Sequence, residues 1–375
     1  MRKHFSLAIL LLALALNASP LFAVDSNSDI IIDGTKIAAK SSGNLLPLRD
    51  IIEQTNGTVT WNGSAQQVIV RRGSHMAVLS IGSTRATVNG REVELTIPPQ
   101  LIGGRTMVSL CFLADHLGLG AGHKNNSFIL STVPASRIPV LVYHHILPDE
   151  ANTHFRDNAW TISTENFAEQ MRYLRDNGFY TPTLDELEAF LHHGRPLPQN
   201  SVMIHFDDGY YSNYVYALPI LRRYGLRAVL FPITGDAEAL GDVQPPMNYA
   251  ALTRAAAITL TTGLDVFETA SHSHALHDRT PDGRETMLVV ATHGEIVADT
   301  LQSFELVTNR RAYAYPLGMF NDTVIAALQE AGITMAFTVR SGYITAGSDP
   351  FRLERFTVYR ETSMARFRNI VHGRA

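Results

Sequence analysis

From Pro134 onward the chain repeats one grammar for roughly 240 residues, with short apolar runs alternating with segments whose apolar residues recur at helical spacing. A strand followed by a helix returns most easily to a parallel neighbour, so this alternation predicts a parallel α/β fold. Its length predicts a distorted β/α barrel, with polar chemistry gathered at the C-terminal ends of the strands. The strand-like runs are Val140–Tyr143, Val202–Phe206, Ala228–Phe231, Val266–Thr269 and Ala312–Tyr315. Between them, Phe167, Met171 and Leu174 define one face of a helix over Glu165–Asp176, and Thr183 with Glu186 forms a capping box for the next. Asn321 caps a further helix whose apolar face is expected at Val324, Ile325 and Leu328.

Residues 29–132 read differently. Short β-branched runs (Ile30–Ile32, Val68–Val70, Ala77–Leu79) are punctuated by Asn56-Gly57, Asn62-Gly63 and Asn89-Gly90, which predicts a small β-rich domain ahead of a second domain over 137–375. Leu45–Ile52, Asn56-Gly57 and Val68–Val70 are echoed by Met107–Ala114, Leu117-Gly118 and Phe128–Leu130, an internal repeat of roughly sixty residues. The first residues, Met1-Arg2-Lys3-His4, then apolar Phe5–Leu16, then a small residue at Ala23, follow the export pattern. They predict a signal peptide over 1–23, cleaved after Ala23 or, because Leu21 is not the small residue cleavage favours, retained as an anchor, and a secreted or cell-envelope protein. The single cysteine, Cys111, cannot pair within the chain, so stability rests on core burial. A net charge of -4 with 18% charged residues argues against generic attraction to nucleic acid.

Three polar clusters end strand-like runs. In His205-Phe206-Asp207-Asp208-Gly209, successive side chains diverge, so one carboxylate can face a metal and the other its bound water, although Asp-Asp-Gly is also an ordinary turn. Ser271-His272-Ser273-His274-Ala275-Leu276-His277 places three histidines within six residues, a tract that leans toward metal binding over a solvated loop. Neutral imidazoles suit Zn2+, Co2+ or Ni2+, and two of them with one carboxylate leave coordination positions open. The third, Tyr313-Ala314-Tyr315-Pro316-Leu317-Gly318, offers aromatic rings and a turn whose N–H groups can face an oxyanion, or is simply a structural turn.

Taken in order, these clusters resemble the polysaccharide deacetylase family (carbohydrate esterase family 4, the NodB-homology fold), over about Ile138 to Phe367. The resemblance implies a metal-dependent hydrolase acting on carbon–nitrogen bonds other than peptide bonds, with an N-acetylated polysaccharide as partner. It makes Asp207 the general base and Asp208, His272 and His277 the ligands of a divalent metal, best suited to zinc. The histidine spacing of five resembles the branch of exported poly-N-acetylglucosamine deacetylases and leaves His274 a bystander. Leu317 N–H is implied as an oxyanion donor beside the metal.

Two departures stand out: Ala314 occupies the place of an arginine that orients the base, and no Asp-x-x-Asp-Trp motif follows. The same branch implies Arg355, in Leu353-Glu354-Arg355-Phe356, as the substitute. It also implies His144, after Val140–Tyr143, as the general acid, in preference to His145 or to His372 near the chain end. Ala314 favours a rival reading, a non-catalytic glycan-binding envelope protein. With Gly34, Ile97-Pro98-Pro99 and Gly103-Gly104-Arg105, the first domain resembles the copper amine oxidase N-terminal-like domain and is expected to serve as a cell-wall attachment or spacer module. His75, His116 and His123 are scattered through it and offer no copper site.

Overall fold

The structure is a computed structural model that describes residues 27–153, 155–236 and 266–375; the expected signal peptide, 1–23, lies outside them. Its core residues fall in two regions of the chain, one cluster in the first and three in the second.

The first runs from Ile30 to Leu130 and takes in Leu46, Ile51, Val68, Leu79, Phe112 and Leu113. Five strands between Thr58 and Glu94 form an antiparallel meander. Asn89 and Gly90 both have positive φ, 49° and 79°, the condition for a type I′ hairpin between Arg85–Val88 and Arg91–Glu94. The internal repeat has a structural counterpart. Strand Leu45–Pro47 leads into helix Leu48–Gln54, and strand Arg105–Ser109 leads into helix Leu110–Leu117. The two strands pair antiparallel, Leu46 opposite Val108, so the halves meet back to back.

In the second region the barrel strands are β1 (Ile138–Tyr143), β2 (Met203–Asp208), β3 (Ala228–Pro232), β4 (Phe267–Thr269), β5 (Ala312–Ala314), β6 (Met335–Phe337) and β7 (Phe356–Thr357). Parallel ladders join β7 to β1, β1 to β2, β2 to β3, β3 to β4, and β5 to β6. Single parallel bridges, Ser271 to Tyr313 and Phe337 to Leu353, carry the circuit across the two remaining gaps. The ring is therefore distorted where full ladders give way to one bridge.

Alternation along the strands sorts the side chains. Val140, Met203, Val229, Phe231, Ala314 and Phe337 pack together in one cluster, whereas Leu141, Tyr143, Ile204, Phe206 and Leu230 pack with Phe167, Met171 and Leu174 of helix Thr164–Asp176. The Thr183–Glu186 capping box is formed in both directions at the start of helix Leu184–His193. On helix Asp322–Glu330 the buried residues are Val324, Ala327 and Leu328, with Ile325 only partly covered. At about 100° per residue, Val324, Ala327 and Leu328 share one sector of the helix and Ile325 lies outside it, beyond Leu328.

The first region docks under the barrel. Ala121 N–H donates to Pro196 O at 3.0 Å and Arg227 Nη1 to His123 O at 2.8 Å, both just before barrel strands begin. Arg195 forks onto Asp115 at 2.8 and 3.0 Å. A Cβ on Gly122 would stand 2.3 Å from the Tyr180 ring, so glycine permits this approach.

Candidate metal and catalytic site

The opposite, C-terminal ends of the strands carry the polar clusters. At the end of β2, Asp207 continues the side of Met203 and His205 and is buried, while Asp208 takes a left-handed φ of 69°. That conformation is costly for a non-glycine residue and redirects its carboxylate. Gly209 follows at φ 74°, where a Cβ would meet Pro232 Cα at 2.8 Å.

The histidine loop leaves β4 and is turned by Asp299, whose carboxylate accepts the N–H groups of His274 at 2.8 Å and Ala275 at 2.6 Å. His272 Nδ1 pairs with the Ala314 carbonyl at 2.8 Å, which makes Nδ1 the protonated nitrogen and leaves the Nε2 lone pair facing Asp208. His272 Nε2 and His277 Nε2 each stand 3.4 Å from Asp208 Oδ1. Among the described residues, His277 Nε2 is buried with no hydrogen-bond partner. All three ligand atoms lie within 4.8 Å of one another, and among the described residues this is the one such cluster of three or more metal-ligating side chains. Donors about 2.1 Å from a tetrahedral ion stand about 3.4 Å apart, so the orphaned nitrogen and the spacing fit a cation between them. Burial alone would raise the Asp208 carboxyl, but the two imidazoles hold it well below the ordinary range. His274 turns elsewhere, its Nδ1 at 3.0 Å from Thr234 Oγ1.

Arg355 is fully buried and grips both oxygens of Asp207, Nη1 to Oδ1 at 2.8 Å and Nη2 to Oδ2 at 2.7 Å. Its Nε donates to Thr338 O at 2.8 Å, and its guanidinium lies 5.9 Å from the Phe231 ring centre and 6.0 Å from that of Phe337. Burial works to raise the Asp207 carboxyl, yet the Arg355 charge, with His272, brings it down to about 2.

His144 follows the inward positions Val140 and Val142. Burial pulls its imidazole below the ordinary value, opposed by the charges of Asp208 and Asp207, and its Nδ1 has no hydrogen-bond partner among the described residues. His145 is a packing residue: it stacks on Tyr210 at 4.6 Å, contacts Ser212 Oγ through Nδ1 at 2.5 Å, and burial lowers it to about 4. His372 caps the last helix against Tyr173, whose hydroxyl it meets at 2.8 Å. Leu317 occupies the turn after β5 at φ 52° and is exposed.

Sequence reasoning missed Thr338 and Ala314 as supports, because both act through backbone carbonyls, which carry no residue signature. It also missed the buried His205, wedged between Phe231 and Phe337 with neither ring nitrogen paired among the described residues. A histidine inside an apolar strand run was the available signal.

Residues 32–129 match the copper amine oxidase N-terminal domain, and residues 194–336 match the polysaccharide deacetylase family. A poly-beta-1,6-N-acetyl-D-glucosamine N-deacetylase of Staphylococcus aureus (strain MSSA476) is 28% identical over 208 residues, covering 53% of this chain and 68% of the relative. Among solved structures, a de-N-acetylase from Aggregatibacter actinomycetemcomitans aligns at TM-score 0.53 and 24% identity, over 62% of this chain and 99% of that one. IcaB from Ammonifex degensii aligns at TM-score 0.53 and 23% identity, over 64% and 99%. These two structures share the fold.

Proposed function

We propose, from the premise that this chain carries a polysaccharide deacetylase domain behind a copper amine oxidase N-terminal domain, that it hydrolyses the acetamide of N-acetylated sugars in an extracellular or cell-envelope polysaccharide. Poly-β-1,6-N-acetylglucosamine is the favoured polymer, in line with the Staphylococcus aureus relative. The observation that carries the reading is the convergence of Asp208, His272 and His277 at the same barrel end as the buried Asp207–Arg355 pair.

Asp208, His272 and His277 would hold a divalent ion, zinc by its two imidazole donors and one carboxylate, which would supply Lewis-acid polarisation and lower the pKa of water. Asp207 is assigned as the general base: ionised at any working pH, it keeps lone pairs beyond the two taken by Arg355 and can receive a water proton. Arg355 is a positioning residue that holds the carboxylate plane. His144 is assigned as the acid that hands a proton to the departing sugar nitrogen; burial lowers its imidazole, and the charges of Asp208 and Asp207 oppose that lowering. Leu317 N–H is assigned to the oxyanion that develops on the acetyl carbonyl. The products are acetate and a free amine. The leader-like residues 1–23 support export, and the first domain supports attachment to the envelope.

The test is acetate release by the purified chain from β-1,6-linked N-acetylglucosamine oligomers, chitin oligomers and peptidoglycan, with and without chelator. Release from the first, abolished by chelation and restored by zinc, is the expected result. Binding without release from any polymer would leave the glycan-binding reading in its place.

A further inference from the structure

We infer that Trp160 and Tyr359 form a stacking platform for a sugar ring neighbouring the one that is deacetylated, an additional glycan subsite beside His144. The inference rests on the deacetylase reading above and extends it along the polymer. Trp160 is 49% exposed and Tyr359 is 44% exposed, so two large aromatic rings face solvent at the end of the barrel that carries the ligand cluster. Isolated exposed apolar residues are ordinary on protein surfaces, but these two are paired by the backbone at one position.

Strand Thr161–Ser163 runs parallel to His145–Leu147 in the register His145 opposite Thr161, so Trp160 stands one residue back, beside His144. On the other side β7 pairs with β1 in the register Val142 opposite Thr357, and two residues further on along each chain stand His144 and Tyr359. Arg360 N–H donates to Ala159 O at 2.7 Å, tying together the residues adjacent to the two aromatics. The Arg360 guanidinium extends that tie to Asp149 at 2.7 Å, and Asn158 Oδ1 accepts the Trp160 N–H at 2.8 Å. The Trp160 ring centre lies 6.2 Å from that of His144. Neither aromatic therefore dangles from a free loop; the backbone presents both.

Fully acetylated poly-N-acetylglucosamine bears no charge, so its recognition must come from hydrogen bonds to its hydroxyl and acetamide groups and from the C–H faces of its pyranose rings. Tryptophan and tyrosine supply rigid, amphipathic area for such faces at low conformational-entropy cost. A ring stacked here lies next to the candidate acid, as befits a neighbour of the reacting sugar.

The chain contains two tryptophans, and Trp61 lies in the first region, so Trp61→Phe leaves Trp160 as sole reporter. Titrating that variant with β-1,6-linked and β-1,4-linked N-acetylglucosamine oligomers of increasing length should quench or blue-shift Trp160 emission saturably with the longer chains. In parallel, Trp160→Ala should lower the ratio of kcat/KM for a pentamer over that for a dimer by about tenfold, the effect of about 1.4 kcal/mol, with Trp160→Phe recovering most of it. An unchanged ratio, or emission that ignores every oligomer, would overturn the subsite. Acetate release with silent Trp160 emission would sink the subsite alone; oligomer binding at Trp160 without acetate release would sink the deacetylase reading and leave the subsite standing.

Discussion

The two ends of the barrel use the same kinds of residue to opposite effect. At the lower end, where the first region docks, polar groups satisfy one another: Tyr180 donates to Glu186 at 2.6 Å, Glu186 closes the capping box, and Arg195 is matched to Asp115. At the upper end, Asp208, Ser273 and Leu317 adopt left-handed φ, and the ring nitrogens His144 Nδ1 and His277 Nε2 are buried without hydrogen-bond partners among the described residues. A satisfied network specifies a docking geometry, whereas buried orphaned groups cost free energy and persist where a ligand completes them.

The largest effects should fall on the upper end. Chelation, or Asp208→Asn, is expected to take acetate release to background together with bound metal measured by elemental analysis; retention of full metal by Asp208→Asn would break the ligand assignment. Asp207→Asn should keep the metal and lose about 10²–10⁴-fold in turnover. Removing Arg355 leaves a buried carboxylate unpaired, so Arg355→Ala should cost about 3–5 kcal/mol in denaturant unfolding.

Intermediate effects belong to the lower end. Gly122→Ala forces a methyl group into a Tyr180 ring that Glu186 holds in place, and should cost about 1–3 kcal/mol. It should expose the segment between the two regions to limited proteolysis while acetate release from short oligomers persists; a parallel loss of turnover would show that docking shapes the site.

Glu268, on β4, gives a pH-dependent contrast. Burial pushes its carboxyl up to about 8 from an ordinary 4.5, against the Leu184 N–H that it accepts at 3.1 Å. The folded protein therefore keeps the proton where the unfolded chain has lost it. This contribution to stability is complete below pH 4.5 and is lost as pH rises to about 8. Glu268→Gln should flatten that part of the curve of Tm against pH; an unaltered slope would place the carboxyl in contact with water. The smallest effect is expected at His372, whose removal should alter turnover less than about twofold, since distant surface substitutions rarely matter.

Local sequence determined the elements and much of their facing. Period-two alternation along β1 puts Val140 and Val142 on one side and hence separates His144 from His145; capping chemistry at Thr183 and turn chemistry at Asn89-Gly90 are likewise short-range properties. Helix Asp322–Glu330 shows the limit of counting apolar residues, since geometry buried Ala327 ahead of the larger Ile325. Only the tertiary structure decided which histidines of the loop face Asp208, because Asp299 on a distant helix sets the path of that loop. It likewise decided the partner of Asp207, which lies 148 positions away in sequence. Periodicity and turn preference act over a few residues, whereas the pairing of a buried charge is fixed by which strand ends the closed ring brings together; no local pattern encodes that choice.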